Sequence, residues 1–181
     1  MTRQNSSKRR RGQSLLEFTL VGIPIMFVLL SIFEISRGMW VYHTLAYSVR
    51  TGVRYAIVHG VNCVSNPPSV NNNCAKTITN IAQVIQDAGV GLDTGDSKTL
   101  LTFTDGAGIQ TTCFLGGATN PCSGKATTWP PGPGGNSVGQ RIQIDIVTPF
   151  RSAIALFWPG AHTVSFGVFN FPASSSDVIQ F

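Results

Sequence analysis

Charge is scarce in this sequence. Only 12% of its 181 residues are Asp, Glu, Lys or Arg, and just eight are acidic. The carboxylates are scattered and read as solvated. Asp93 and Asp96 share a turn but lack the further acids of a calcium loop. Histidine is scarcer still: His43, His59 and His162 are widely dispersed, and the four cysteines contain no CxxC pair, which argues against zinc. There is no P-loop, no dinucleotide fingerprint and no internal repeat. Gly135-Asn136-Ser137-Val138-Gly139 fits G-x-S-x-G, but a nucleophile elbow needs a strand before it and a helix after it. Here a Pro/Gly loop precedes and a strand is expected to follow. The chain is therefore read as a non-enzyme that needs no metal or cofactor.

The formal charge of +5 does not indicate nucleic acid. Residues 1–12 hold five of the 13 Lys and Arg and none of the acids, so the remainder is formally neutral and offers no basic patch. The cluster Lys8-Arg9-Arg10-Arg11 is instead a topology signal. Behind it Phe18 to Phe33 carry no charge at all, bracketed by Glu17 and Glu34. As a helix these residues cover roughly 24 Å. The uncharged neighbours Gln13–Leu16 and Ile35–Ser36 bring the run within reach of a ~30 Å hydrocarbon core. The reading is a single membrane-spanning helix with its amino end held in the cytoplasm by the basic leader. Residues 34–40 lack an A-x-A cleavage pattern, so the apolar segment is expected to stay on the mature chain.

Glu17 is unusual, because a carboxylate at the edge of a membrane helix is costly and suggests function. The plain alternative places it at headgroup level, where it reaches water and favours a helix amino end. Gly12 lies five residues before it, after the basic leader. This arrangement resembles the processing site of type IV prepilins. That likeness implies cleavage by a prepilin peptidase between Gly12 and Gln13, with Glu17 then fifth in the mature chain. Many type IV pilins begin the mature chain with Phe, where this one has Gln13. Phe18, Glu34, Arg37, Tyr42-His43 and residues 46–56 narrow the match, and the first 60 residues are similar to the TadE-like family of tight-adherence pilus assembly. The resemblance implies a minor pilin or pseudopilin of the bacterial inner membrane. Its partners would be the prepilin peptidase, the pilus assembly platform and other pilins, and its outcome surface adhesion and biofilm growth. It also implies that the freed amine of Gln13 in one subunit pairs with Glu17 of a neighbour. The competing class is a permanently anchored envelope-binding module using the 116–137 loop.

The fold expected is α+β. Domain limits are read as a leader at 1–12, a transmembrane segment at 13–40 and a pilin-like extracytoplasmic domain at 41–181. One helix of roughly 70 Å runs from Ser14 to His59, with Gly60 as its stop. Beyond the membrane, Val41, Leu45, Val49, Val53 and Ile57 form one apolar face, and Arg50 and Arg54 another. Pro24 lies inside the span, and Gly22 and Gly38 allow close helix approach. A second helix is expected from near Asn73 to Gly89, its face made by Ile78, Ile81, Ala82 and Ile85. Leu100–Thr104 and Ile109–Leu115 form a hairpin around Asp105-Gly106. Ile142, Ile144 and Ile146 mark a strand ended by Pro149, and Val164, Phe166 and Val168 a last strand ended by Phe171-Pro172. Three or four antiparallel strands then pack on the outer half of the long helix. The apolar cluster from Phe150 to Gly160 is too short to span a bilayer. It reads as a core anchor or as a membrane or subunit contact through Phe157 and Trp158. Cys63, Cys74, Cys113 and Cys122 all lie on the translocated side, where two disulfides are natural. Three connectivities are open, and Cys63–Cys74 with Cys113–Cys122 is favoured because each closes a loop rich in Asn, Pro and Gly.

Overall fold

The computed structural model describes residues 8–59, 76–92, 99–116, 119–125, 129, 137–153 and 168–180, with the backbone alone for 8–11. Two helices, α1 (Lys8–Ile57) and α2 (Ile78–Ala88), are followed by four strands. These are β1 (Thr99–Thr104), β2 (Gln110–Leu115), β3 (Arg141–Arg151) and β4 (Val168–Val178). They form one antiparallel sheet in the order β2-β1-β3-β4. The α+β layout expected from the residues is the one observed.

α1 is one continuous helix of 50 residues, roughly 75 Å at ~1.5 Å per residue. It starts before Ser14 and ends two residues short of His59. Its two halves meet different surroundings. Through residues 12–37 every side chain is exposed except Gly22 and Glu34, which are half-buried. Beyond them Leu45, Val49, Val53 and Ile57 are buried, while Arg50 and Arg54 face out. That four-residue spacing puts one stripe of α1 against α2, β3 and β4.

The final turn of α1 is capped by distant parts of the chain. The last carbonyls of a helix have no helical donor. Here Trp129 Nε1 donates to the Ala56 carbonyl at 3.3 Å, and the Gln180 backbone N–H to that of Ile57 at 3.2 Å. Trp129 is 3% exposed, meets Phe103 edge-on at 5.9 Å, and donates its backbone N–H to Lys76 at 2.7 Å. This residue of the expected 116–137 loop is therefore a core anchor.

α2 buries Ile78, Ile81, Ala82 and Ile85, the predicted face. It begins at Ile78, later than the position near Asn73 that was expected. Lys76 and Thr77 are not helical, and residues 60–75 lie outside the described residues. The start is fixed by Asn80, whose Oδ1 accepts from the Thr77 backbone N–H at 3.0 Å and from its hydroxyl at 2.9 Å. The hairpin of β1 and β2 forms as expected. Asp105 Oδ1 closes its turn by accepting from the N–H groups of Ala107 and Ile109 at 3.0 and 2.8 Å.

Two proline expectations need correction. Pro149 does not end β3, which continues to Arg151. β1 pairs with β3 only as far as Leu100↔Val147, so at Pro149 the strand has β4 alone beside it and needs no second ladder donor. Pro172 likewise lies inside β4, which runs on through Ser174, Ser175 and Ser176 to Val178. β4 is an edge strand, where alternate N–H groups face outward and proline is tolerated. The last strand thus starts at Val168 and takes in the Ser-rich stretch beyond Pro172, while Val164 and Phe166 lie outside the described residues.

Candidate functional site

The features with chemical content line up along α1. At its amino end Gly12 and Gln13 are exposed, as is Glu17 one turn on. Gln13 Nε2 donates to Glu17 Oε1 at 3.3 Å. This contact is within one chain and uses the side-chain amide. No fold requirement explains Gly12: a Cβ there would have nothing within 4 Å. A glycine inside a helix costs about 1 kcal/mol relative to alanine. The rod therefore carries that cost without a packing benefit.

From Phe18 to Phe33 the rod is apolar on all sides. Its few hydroxyls are satisfied internally: Thr19 donates to the Leu16 carbonyl, and Ser31 to that of Phe27. Such back-bonding lets a polar side chain lie in hydrocarbon at little cost. Pro24 withholds one N–H from the ladder yet leaves α1 unbroken. α1 thus contains one segment apolar and long enough to cross a membrane, and none of that segment is buried.

Where the rod meets the sheet, three groups interlock. Arg37 pairs with Glu34 at 3.3 Å, donates to the Arg151 carbonyl, and stands 4.5 Å over the Phe150 ring. Phe150 stacks on Phe171 at 5.1 Å, and Tyr42 meets Phe171 edge-on. Gly38 is buried beneath these rings, so the close approach expected there is to aromatic side chains and not to a helix. On another face Trp40 covers Gly91 so closely that a Cβ would stand 2.5 Å from its ring, and the glycine's φ of 86° independently disfavours any side chain there. Sequence spacing located Glu34–Arg37, but nothing in it paired Arg37 with Phe150.

Cys113 and Cys122 form a disulfide, joining β2 to the segment after it. The Phe114 and Cys122 backbones bond there, and the Thr79 hydroxyl reaches the carbonyls of Cys122 and Lys125 at 2.9 and 3.0 Å. Cys63, Cys74, Phe157 and Trp158 lie outside the described residues. Ser137 of the G-x-S-x-G run sits in a bend directly before β3, without a helix after it.

These features define a small α+β domain carried on a long apolar helix. Residues 12–54 match the family model described as TadE-like protein. The likeness seen in the first helix is thereby shown over that stretch, which excludes the basic residues 1–11, and it points to involvement in tight-adherence pilus assembly. α2 and the sheet fall outside the match. No curated protein and no solved structure matches the chain.

Proposed function

We propose that this chain is a minor pilin or pseudopilin of a tight-adherence pilus, inserted with its amino end in the cytoplasm. A prepilin peptidase trims it after Gly12, and the membrane holds it until assembly. The observation that carries this reading is the apolar rod of residues 18–33, exposed at every position but the half-buried Gly22 and lying within the stretch matched by the family model. An apolar surface of that length is stable only in lipid or against other helices. Assembly exchanges the first environment for the second. Gly12 adds support: a helical glycine with empty space around it fits a residue kept for recognition by a protease. The rigid continuity of α1 lets a pull on the rod move the outer domain with it. The chain acts as a structural subunit and not as an enzyme, and its partners are the peptidase, the assembly platform and other pilins.

Mass spectrometry of the mature amino terminus, from cells with an active prepilin peptidase, tests this reading. A chain starting at Gln13 is expected. An intact leader would leave an ordinary anchored protein.

A further inference from the structure

The exposed apolar surface does not stop at the end of the span. Ile35, Met39 and Tyr42 follow at helical spacing and are 64%, 56% and 49% exposed. They continue the rod onto the first turns that face the sheet. Beside them the Phe150 end of the β3–β4 ribbon presents Phe169, 58% exposed and paired in register with Phe150. Between helix and ribbon lies an open, almost wholly apolar groove of about 460 Å³.

Distance along the helix decides what this surface meets. Residues 13–33 cover roughly 31 Å at the standard rise. That matches a hydrocarbon core of ~30 Å, with headgroup layers of roughly 5–8 Å on each side. With the span so placed, Ile35 and Arg37 fall within the outer headgroup layer, Met39 about 9 Å past Phe33 stands at its outer edge with a side chain that leans back towards it, and Tyr42 about 14 Å past Phe33 stands beyond it. The chemistry suits that depth. Aromatic rings with a nearby charge concentrate at membrane interfaces, and Phe169, paired with the Phe150 that Arg37 overlies, stands at this depth with exposed Arg151. Glu34 is already neutralised by Arg37. Among the described residues Arg151 therefore leaves this level one positive charge in excess, the sign that attracts lipid phosphates.

We infer that Ile35, Met39 and Phe169 form a collar seated in the outer phospholipid headgroup layer, with Arg151 facing the phosphates. This inference rests on the membrane-spanning reading of α1. The collar fixes the orientation of the domain: the Phe150 end of β3 lies on the lipid, and the Asp105 turn points away from it. Arg37 is a positioning residue, since its contacts with Glu34, Phe150 and the Arg151 carbonyl hold the ribbon at this level.

Site-specific photo-crosslinking in the full chain tests the collar. A benzophenone amino acid is placed singly at Phe169, at Leu20 in the span, and at Ser176 towards the opposite end of β4. The chain is illuminated in vesicles of phosphatidylethanolamine and phosphatidylglycerol. Phospholipid adducts are expected at Leu20 and Phe169, with loss of the adduct at Ser176. Adducts at Leu20 together with none at Phe169, or with crosslinks from Phe169 to a second copy, would overturn the collar and leave the span standing. Absence of lipid adducts at Leu20 would overturn the spanning reading and the collar with it.

Discussion

Gly52 and Ile85 touch where α1 crosses α2. A Cβ at position 52 would stand 2.3 Å from Ile85 Cγ1 and 2.7 Å from its Cδ1. Both partners are buried, so Ile85 has little room to retreat. Overpacking of this kind costs about 1–3 kcal/mol, against the ~1 kcal/mol that alanine gains as a helix former. Gly52→Ala is therefore expected to lower the melting temperature of the purified chain in detergent, followed by circular dichroism. Gly12→Ala, which meets nothing, is expected not to lower it. A Gly52→Ala chain as stable as the parent would show that the helices are not this close.

Trp129 joins two ends of the fold. It plugs the space beside Phe103 and caps the last turn of α1 through Ala56. Trp129→Ala should cost about 3–5 kcal/mol, the usual range for a buried large aromatic. Trp129→Phe keeps most of the ring but drops the Nε1 hydrogen bond, so about 1 kcal/mol is expected from that loss. Urea titration of the two variants separates packing from capping. Equal losses would mean that the ring contributes nothing beyond its hydrogen bond.

These two residues also show what the sequence could and could not reveal. α1, α2 and β3 were legible because their apolar residues repeat at the helical or strand period over a long stretch. The β1–β2 hairpin was legible from Asp105-Gly106. β4 was not, because an edge strand buries little, and Ser174 to Ser176 carry no alternating apolar signal. The prolines misled for the same reason: Pro149 and Pro172 break a strand only where a neighbour needs their N–H, and strand neighbours are not written in sequence. Trp129 lay in a Pro/Gly stretch with no period to place it. At the candidate site, Gly12 and Glu17 were visible by spacing, and so was the pairing of Glu34 with Arg37. The latch from Arg37 to Phe150 and the Arg151 carbonyl spans over a hundred residues, and no local pattern reports such a contact.

The Cys113–Cys122 bond closes a short loop onto the outer edge of the sheet. In the chain-entropy account a loop of this length stabilises by about 3 kcal/mol. Neither sulfur is a thiol while the bond is intact, so neither should react with a maleimide before reduction. Cys113→Ser with Cys122→Ser is expected to lower the unfolding midpoint while α1 and α2 keep their helical signal. The Thr79 hydroxyl bonds to Cys122 and Lys125 should then be weakened, opening the segment to proteolysis. Cleavage at an unchanged rate would show that these bonds hold the segment without the disulfide.

Glu17 provides the sharpest test of the proposed assembly. In the single chain it is exposed and accepts a hydrogen bond from the Gln13 amide. Trimming after Gly12 would convert Gln13 into a free amine, and packing rods together would remove water from both groups. A buried charge left without its partner costs about 3–5 kcal/mol, enough for at least a tenfold change in an equilibrium. Glu17→Gln keeps the size and the hydrogen-bonding capacity but not the charge. Insertion and trimming should proceed as in the parent, whereas the ratio of variant in sheared pili to variant in the membrane should fall by about tenfold or more. That ratio can be read by quantitative immunoblotting of the two fractions. An unchanged ratio would mean that the rods pack without pairing this carboxylate, and the register of the filament would then have to come from the apolar face of α1 alone.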